Sequence, residues 1–141
     1  MKNILIINGH PNPASYNFAL TESYKNGALE AKANVETIVI ADLKFNPNLA
    51  YGYQKRIDLE PDLAEAWGKL TKADHLVWIH PVWWGGLPAI TKGFIDRLFL
   101  PGMAFQYREN SVWWNKLLKG KTAHIITTLD QPRWYYFLFY S

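Results

Sequence analysis

Three short stretches hold the residues whose types and spacing suggest chemistry: NGHPNPASYN from Asn8, HPVWWGGLPA from His80, and TTLDQPRWYY from Thr127. In the first, His10, Ser15, Tyr16 and Asn17 gather at the start of a predicted helix, where free N–H groups and the positive end of the helix dipole favour a phosphate. Ser15 and Asn17 offer further hydrogen bonds, and His10 a donor or partial charge. Ser15 serves equally well as a plain helix cap. The stretch is neither a G-x-G-x-x-G fingerprint nor a GxxxxGK[ST] phosphate loop.

The second stretch sets Trp83 and Trp84 beside Gly85 and Gly86. Aromatic side chains supply flat packing, and glycines let the main chain approach closely, which suits a planar ligand with polar atoms on its rim, such as a flavin. The alternative is that both indoles fill core or an interface. In the third stretch, the Thr127 and Thr128 hydroxyls suit the pyrimidine edge of such a ligand, and Tyr135 or Tyr136 suits a cover or a donor to a substrate carbonyl. These threonines also fit an ordinary strand, and the aromatic run after them a core segment.

The elements that must hold these loops follow from the pattern around them. The unbroken apolar run ILII at 4–7 predicts a strand buried on both faces, hence a parallel sheet. Tyr16, Leu20, Tyr24, Ala28 and Ala31 recur at near-helical spacing behind Ser15. VETIVIADL from Val35 alternates at first, as a half-exposed edge strand does. An irregular excursion broken by Pro47, Gly52 and Pro61 then leads to a helix predicted from Leu63 to Lys72. HLVWIH is a further buried strand, a helix covers roughly 88–99 with Pro88 in its first turn, and TAHIITT is a fourth strand. Gly93 within that helix points to a close approach. A β-α-β-α-β-α-β order predicts an α/β fold with an open, doubly wound parallel sheet, whose ligands bind beyond the carboxyl ends of the strands.

Composition narrows the function classes. The 141 residues suit a single domain spanning 1–141, and an aromatic share of 16% exceeds what its core needs, so some rings face a pocket or surface. There is no cysteine, which excludes disulfides, thiolate nucleophiles and Cys-ligated metals. The run ILII is too short for a leader or a membrane span, so no membrane insertion and a cytoplasmic location are expected. A net charge of +3 without any basic block argues against nucleic acid but favours a phosphorylated ligand.

Together ILIINGHPNPASYNFAL, ADLKFNP, ADHLVWIHPVWWGGLPAITKGFIDRLF and AHIITTLDQPRWYY resemble the NAD(P)H:quinone oxidoreductase family of flavodoxin-like proteins, over nearly the whole chain. The group includes the modulator-of-drug-activity reductases and the ancillary subunits of bacterial potassium efflux systems. The resemblance implies strand order 2-1-3-4, a flavin (FAD or FMN), NAD(P)H as hydride donor, a quinone or similar small acceptor, and a homodimer. It implies that His10, Ser15, Tyr16 and Asn17 hold the flavin phosphate and that Pro81, Val82, Trp83, Trp84 and Gly85 line the isoalloxazine. Thr127, Thr128 and Tyr135 would border the site, with Tyr135 as the catalytic donor. Leu129-Asp130 stands where some relatives have Gly-Gly. A flavin-binding regulatory subunit of a transport system is the alternative within the same resemblance. A phospho-acceptor domain is not, because acidic residues are missing after strand one and at the end of strand three. The family continues through a fifth strand and another helix, so the end at Ser141 in WYYFLFYS predicts a truncated chain, an exposed edge at strand four and a strand-prone apolar tail.

Overall fold

The computed structural model describes residues 1–140. In chain order the elements are β1 (Asn3–Asn8), α1 (Tyr16–Glu30), β2 (Asn34–Val39), α2 (Pro61–Lys72), β3 (His75–Pro81), α3 (Ala89–Leu98), β4 (Phe105–Tyr107), β5 (Trp114–Lys116), β6 (Thr122–Thr128) and α4 (Arg133–Tyr140), with a short 3-10 turn at Ile40–Asp42. The main sheet has the order β2-β1-β3-β6, and every pairing in it is parallel. The expected 2-1-3-4 order therefore holds, with β6 as the fourth strand.

Successive residues of β1 alternate between two cores, as a pleated strand requires. Leu5 and Ile7 pack with Leu63 and Leu70 of α2 and with Phe94 and Leu98 of α3. Ile6 packs on the other face with Val77 and Ile79, against Leu20 and Tyr24 of α1. This double covering explains the unbroken apolar run. Helix α2 begins at Pro61 rather than Leu63, because proline at the first helical position loses no intrahelical bond.

The excursion after β2 is tied to α3 by Arg97, one of the largest fully buried side chains. Its guanidinium forks onto Glu60 at 3.0 and 2.8 Å and also donates to the Asn46 and Asp58 carbonyls, at 2.5 and 3.3 Å. Burial works to raise the Glu60 pKa, but the Arg97 hydrogen bonds, with backbone donors and the Arg97 charge, outweigh it and hold the carboxyl below its ordinary range. Gly93 faces the same segment, and a Cβ there would collide with Pro47, including its carbonyl at 2.8 Å. The close approach expected at Gly93 is thus made to the excursion itself.

Two features differ from expectation. An antiparallel hairpin, β4–β5, stands between α3 and β6. Its strands have three residues each, too few for alternation to register in the sequence, and Asn110 between them takes a positive φ of 52°. The tail expected to favour strand pairing is instead helical as α4, with the Tyr135 and Tyr136 N–H groups donating to the Pro132 carbonyl at 2.9 and 3.3 Å. Proline's fixed φ suits a first helical turn, and that local start overrides the β preference of the aromatic run. Ser141, the terminus on which the truncation was expected, lies outside the described residues. Among the described residues β6 pairs only with β3, and its Ile125 is 63% exposed. No described helix is long and apolar enough to cross a membrane.

At the amino end of the sheet, His75 Nδ1 lies 2.7 Å from Thr122 Oγ1, and its Nε2 lies 3.3 Å from the Tyr24 hydroxyl. Burial, with the nearby charges of Lys2 and His124, holds this imidazole below its ordinary pKa.

Candidate functional site

The carboxyl ends of β1, β3 and β6 bring the three loops together. A hydrogen-bond chain shapes the first. The His10 N–H donates to Asn8 Oδ1 at 2.9 Å, Asn8 Nδ2 to Thr21 Oγ1 at 2.9 Å, and the Thr21 hydroxyl to the Asn17 carbonyl at 2.9 Å. Asn8 is buried at the end of β1, and Asn17 and Thr21 are buried on α1, so α1 turns polar residues inward near its N-terminus where an ordinary helix would turn apolar ones. The Asn12 N–H donates to His10 Nδ1 at 3.0 Å, which assigns the proton of the neutral ring to Nε2 and makes that atom a donor.

Ser15 occupies the N-cap of α1 with extended backbone, but its side chain makes no capping bond. Its Oγ is buried without a partner, and so is Asn17 Nδ2. Asn17 is oriented from across the sheet, because the Thr128 hydroxyl donates to its Oδ1 at 2.7 Å. Two buried polar atoms are thus left unmatched beside first-turn N–H groups that have no intrahelical acceptor. Unmatched buried polar groups are costly, and an oxygen-rich anion at this helix end would satisfy both. The residues present therefore fit a phosphate group.

The second loop is a tight hairpin. Trp83 and Gly86 exchange both N–H···O bonds, at 2.9 and 3.0 Å, around Trp84 and Gly85, whose φ angles are 51° and 74°. Two central residues with positive φ are what a type I′ turn requires, and Gly, Asn or Asp usually fill it. A tryptophan there carries strain of about 1–2 kcal/mol. Trp84 projects from this turn 99% exposed. Trp83 packs edge-on to His10 at 5.5 Å between ring centroids, linking the second loop to the first. Gly9 is also tied to the elements that flank the second loop, since its N–H donates to the Ile79 carbonyl of β3 at 2.8 Å and the Thr91 hydroxyl of α3 donates to its carbonyl at 2.9 Å. The Val82 N–H in turn donates to the Thr128 carbonyl at 2.8 Å, joining the second loop to the third.

Between them lies an open depression of about 900 Å³, walled by Tyr16, Val82, Gly85, Thr127 and Thr128 among others. Trp83 and Trp84 line a smaller chamber of about 380 Å³ beside it. Of the sequence-predicted residues, His10, Ser15 and Asn17 form the polar cradle at the α1 end, while Pro81 is buried at the end of β3 and lines neither space. Tyr135 lines neither space, and its ring packs against Phe139 at 4.4 Å and Trp134 at 5.8 Å. Its neighbour Tyr136 lines both, with its hydroxyl 3.5 Å from the Gly85 carbonyl.

Sequence reasoning passed over several further wall residues, among them Leu87, Ile125, Gln131 and His80. Ile125 reads as a plain strand residue, and nothing in its type marks it. His80 carried a signal, a histidine ending a buried strand. Its Nδ1–H donates to the Pro81 carbonyl at 2.9 Å, which leaves Nε2 of the neutral ring as an acceptor in a residue that lines the depression.

The family described as having a flavodoxin-like fold matches residues 2–138. An uncharacterized NAD(P)H oxidoreductase of Haemophilus influenzae is 30% identical over 108 residues, which cover 74% of this chain and 54% of that protein. The human ribosyldihydronicotinamide dehydrogenase (quinone) is 28% identical over 151 residues, covering 90% of this chain and 63% of that protein. Among solved structures, Smu.1420 from Streptococcus mutans UA159 superposes with a TM-score of 0.79 at 34% identity, covering 94% of this chain and 70% of that one. The chain thus spans little more than half to under two thirds of these curated relatives.

Proposed function

The chain belongs to the family with the flavodoxin-like fold, and from that premise we propose that it is a flavin-dependent NAD(P)H:quinone oxidoreductase. The observation that carries this reading is the pair of unmatched buried atoms, Ser15 Oγ and Asn17 Nδ2, at the N-terminus of α1. Relatives named as NAD(P)H oxidoreductase and as quinone-type dehydrogenase support it. When bound, the flavin accepts a hydride from NAD(P)H and passes two electrons to a quinone or similar acceptor.

The chain's own residues bind and orient. His10 Nε2–H, Ser15 Oγ, Asn17 Nδ2 and the first-turn N–H groups beginning at Tyr16 hold the phosphate, a contact set that FMN and FAD share. The backbone from Val82 to Gly86 would lie along the ring system, with Trp83 braced by His10. The Thr127 hydroxyl meets the polar rim, and Thr128 keeps Asn17 turned toward the phosphate. Tyr136 takes the donor role expected of Tyr135, because it lines the depression and Tyr135 does not. A homodimer belongs to the same proposal: exposed Ile125, Trp134, Phe137 and Leu138 make an apolar surface of the kind a partner covers.

Titration of the folded chain with FMN and FAD, beside Asn17→Ala and Ser15→Ala, tests the reading. Each lost bond to a charged phosphate is worth about 1.5–3 kcal/mol, so each variant should bind roughly tenfold or more weakly. Flavin-loaded protein should oxidise NAD(P)H in the presence of a quinone, with Tyr136→Phe slower than Tyr135→Phe. A folded chain that binds neither flavin at millimolar concentration would refute the proposal.

A further inference from the structure

The long excursion after β2 takes a closed shape that the flavin reading does not use. Its two feet meet on one residue of α3, since the buried Arg97 guanidinium donates to the Asn46 carbonyl at 2.5 Å and to the Glu60 carboxylate at 3.0 and 2.8 Å. The feet also bond to each other, the Asn46 N–H donating to Glu60 Oε1 at 3.0 Å. Residues 46–60 thus close into an Ω-loop, a compact surface loop whose ends are held together. Inside it two turns follow in succession, with the Gly52 N–H donating to the Leu49 carbonyl at 3.0 Å and the Gln54 N–H to the Tyr51 carbonyl at 3.2 Å. They bring Lys55 and Arg56 to the same cavity as Leu49.

That cavity, of about 90 Å³, lies between the loop and the segment after α3 and shares no residue with the depression or the chamber beside it. Leu49, Ile57, Leu100 and Pro101 give it apolar walls, and Leu100 is buried. Lys55 and Arg56 are the only charged residues that line it. Among the described residues neither meets a carboxylate: Lys55 lies over the Tyr51 ring at 5.1 Å, and no ion pair holds Arg56. Glu60 is committed to Arg97, and Asp58 does not line the cavity. Two cations beside apolar walls select an anion that carries an apolar body, because an inorganic ion would use the charges alone and leave the walls wet. The space, roughly the share of three waters in the liquid, limits that body to a short one.

We propose that the Ω-loop is a binding site for a carboxylate borne on a short aliphatic group, with Lys55 and Arg56 taking the charge and Leu49, Ile57, Leu100 and Pro101 the aliphatic part. A small free acid and the C-terminal residue of a polypeptide both offer this chemistry. The site is independent of the flavin reading, which stands or falls on the α1 end of the sheet.

The test uses the full chain, isotope-labelled, with N-acetylleucine, N-acetylleucinamide and N-acetylalanine as probes. It reads the amide NMR shifts of Gly52 and Leu100 against those of Gly85 and Gly86, which mark the depression. N-acetylleucine should move Gly52 and Leu100 and bind at least about fivefold tighter than its neutral amide and than N-acetylalanine. Replacing both exposed cations, Lys55→Gln with Arg56→Gln, should abolish the preference for acid over amide while the fold and the Gly85 and Gly86 shifts stay unchanged. A peptide Gly-Ser-Gly-Ser-Leu with a free carboxylate separates the two sources. Binding at least as tight as that of N-acetylleucine assigns the site to a polypeptide end, and weaker binding assigns it to a small acid. Equal binding of acid and amide, a preference that survives in the double variant, or shifts confined to Gly85 and Gly86 overturns the proposal.

Discussion

Replacing Gly9 with Ala probes the joint between the first two loops. Gly9 is not among the residues with positive φ, so any cost of a side chain there is steric and not conformational. The added methyl would collide with Thr91 Oγ1 and come within 3.1 Å of Thr91 Cγ2 and 3.2 Å of His80 Cβ. Thr91 is fully buried and its hydroxyl donates to the Gly9 carbonyl, so it yields only by giving up that bond. Overpacking costs about 1–3 kcal/mol and the lost hydrogen bond about 1 kcal/mol, so Gly9→Ala should destabilise by roughly 2–4 kcal/mol. Thr91→Ala alone should cost about 1–2 kcal/mol, chiefly through the Gly9 carbonyl left unpaired. In the double variant the new methyl enters the space that Thr91 Oγ1 and Cγ2 vacate, and the remaining contact with His80 is relieved by a shift of a few tenths of an ångström. The double variant should then cost no more than about 2 kcal/mol, a coupling of at least about 1 kcal/mol. Urea unfolding of the four proteins, followed by far-ultraviolet circular dichroism, measures it. Costs that add to within about 0.5 kcal/mol would show that Gly9 and Thr91 do not share this joint.

Trp84→Asn should raise stability by about 1 kcal/mol, or roughly 3–4 °C in melting temperature, because Asn tolerates positive φ; a lower melting temperature would mean that the turn is not strained. Glu60→Gln should destabilise by about 3 kcal/mol or somewhat less, since it leaves the buried Arg97 guanidinium without its charge partner; equilibrium unfolding reads this, and a loss below 1 kcal/mol would refute the clamp. The Glu60 carboxyl has a lowered folded pKa, so its contribution is full above the unfolded value near 4.3 and lost as pH falls through the folded value; acid unfolding should begin below about pH 4 in the parent and be shallower in Glu60→Gln. His75 is also lowered, so the unfolded chain takes up the proton first and stability falls as pH drops below about 6.5; His75→Gln should flatten that limb, and an NMR titration placing His75 at or above 6.5 would contradict the assignment.

How far the fold was legible depended on which signals are local. Leu5, Ile6 and Ile7 announce a doubly covered strand because each face of a parallel sheet demands an apolar residue, and the sequence shows that demand directly. The β4–β5 hairpin sends no such signal: its residues are mostly exposed, and three-residue strands leave no room for a period. Helix α4 was misread for the opposite reason. Seven apolar residues in a row fit both periods, and the choice was made by Pro132 outside the run, whose carbonyl accepts the first helical N–H groups.

The candidate site divides along the same line. Trp83, Trp84, Thr127 and Thr128, which line the depression or the chamber beside it, could be singled out by type, although indoles also fit a core or interface and threonines an ordinary strand. The orientation of Asn17 was not legible, because it depends on Thr128, 111 positions away in the chain, to take its Oδ1 and leave Nδ2 unmatched. Tyr135 and Tyr136 differ only in which way a helix turns them, and successive helical positions point about 100° apart, so no reading of the letters separates the one that lines the depression from the one that packs on Phe139. Trp84 lies between these cases. Its type was visible, but the sequence Trp-Gly does not announce a type I′ turn, since that turn ordinarily asks for Asn, Asp or Gly at the position Trp84 holds. The strain follows from that mismatch. A residue kept where local preference opposes it, with its ring bare to solvent, is held there by the reciprocal Trp83–Gly86 bonds and by the His10 contact on Trp83. The first loop therefore supports the exposed indole as well as the proposed phosphate cradle, and loosening His10 should disturb both together.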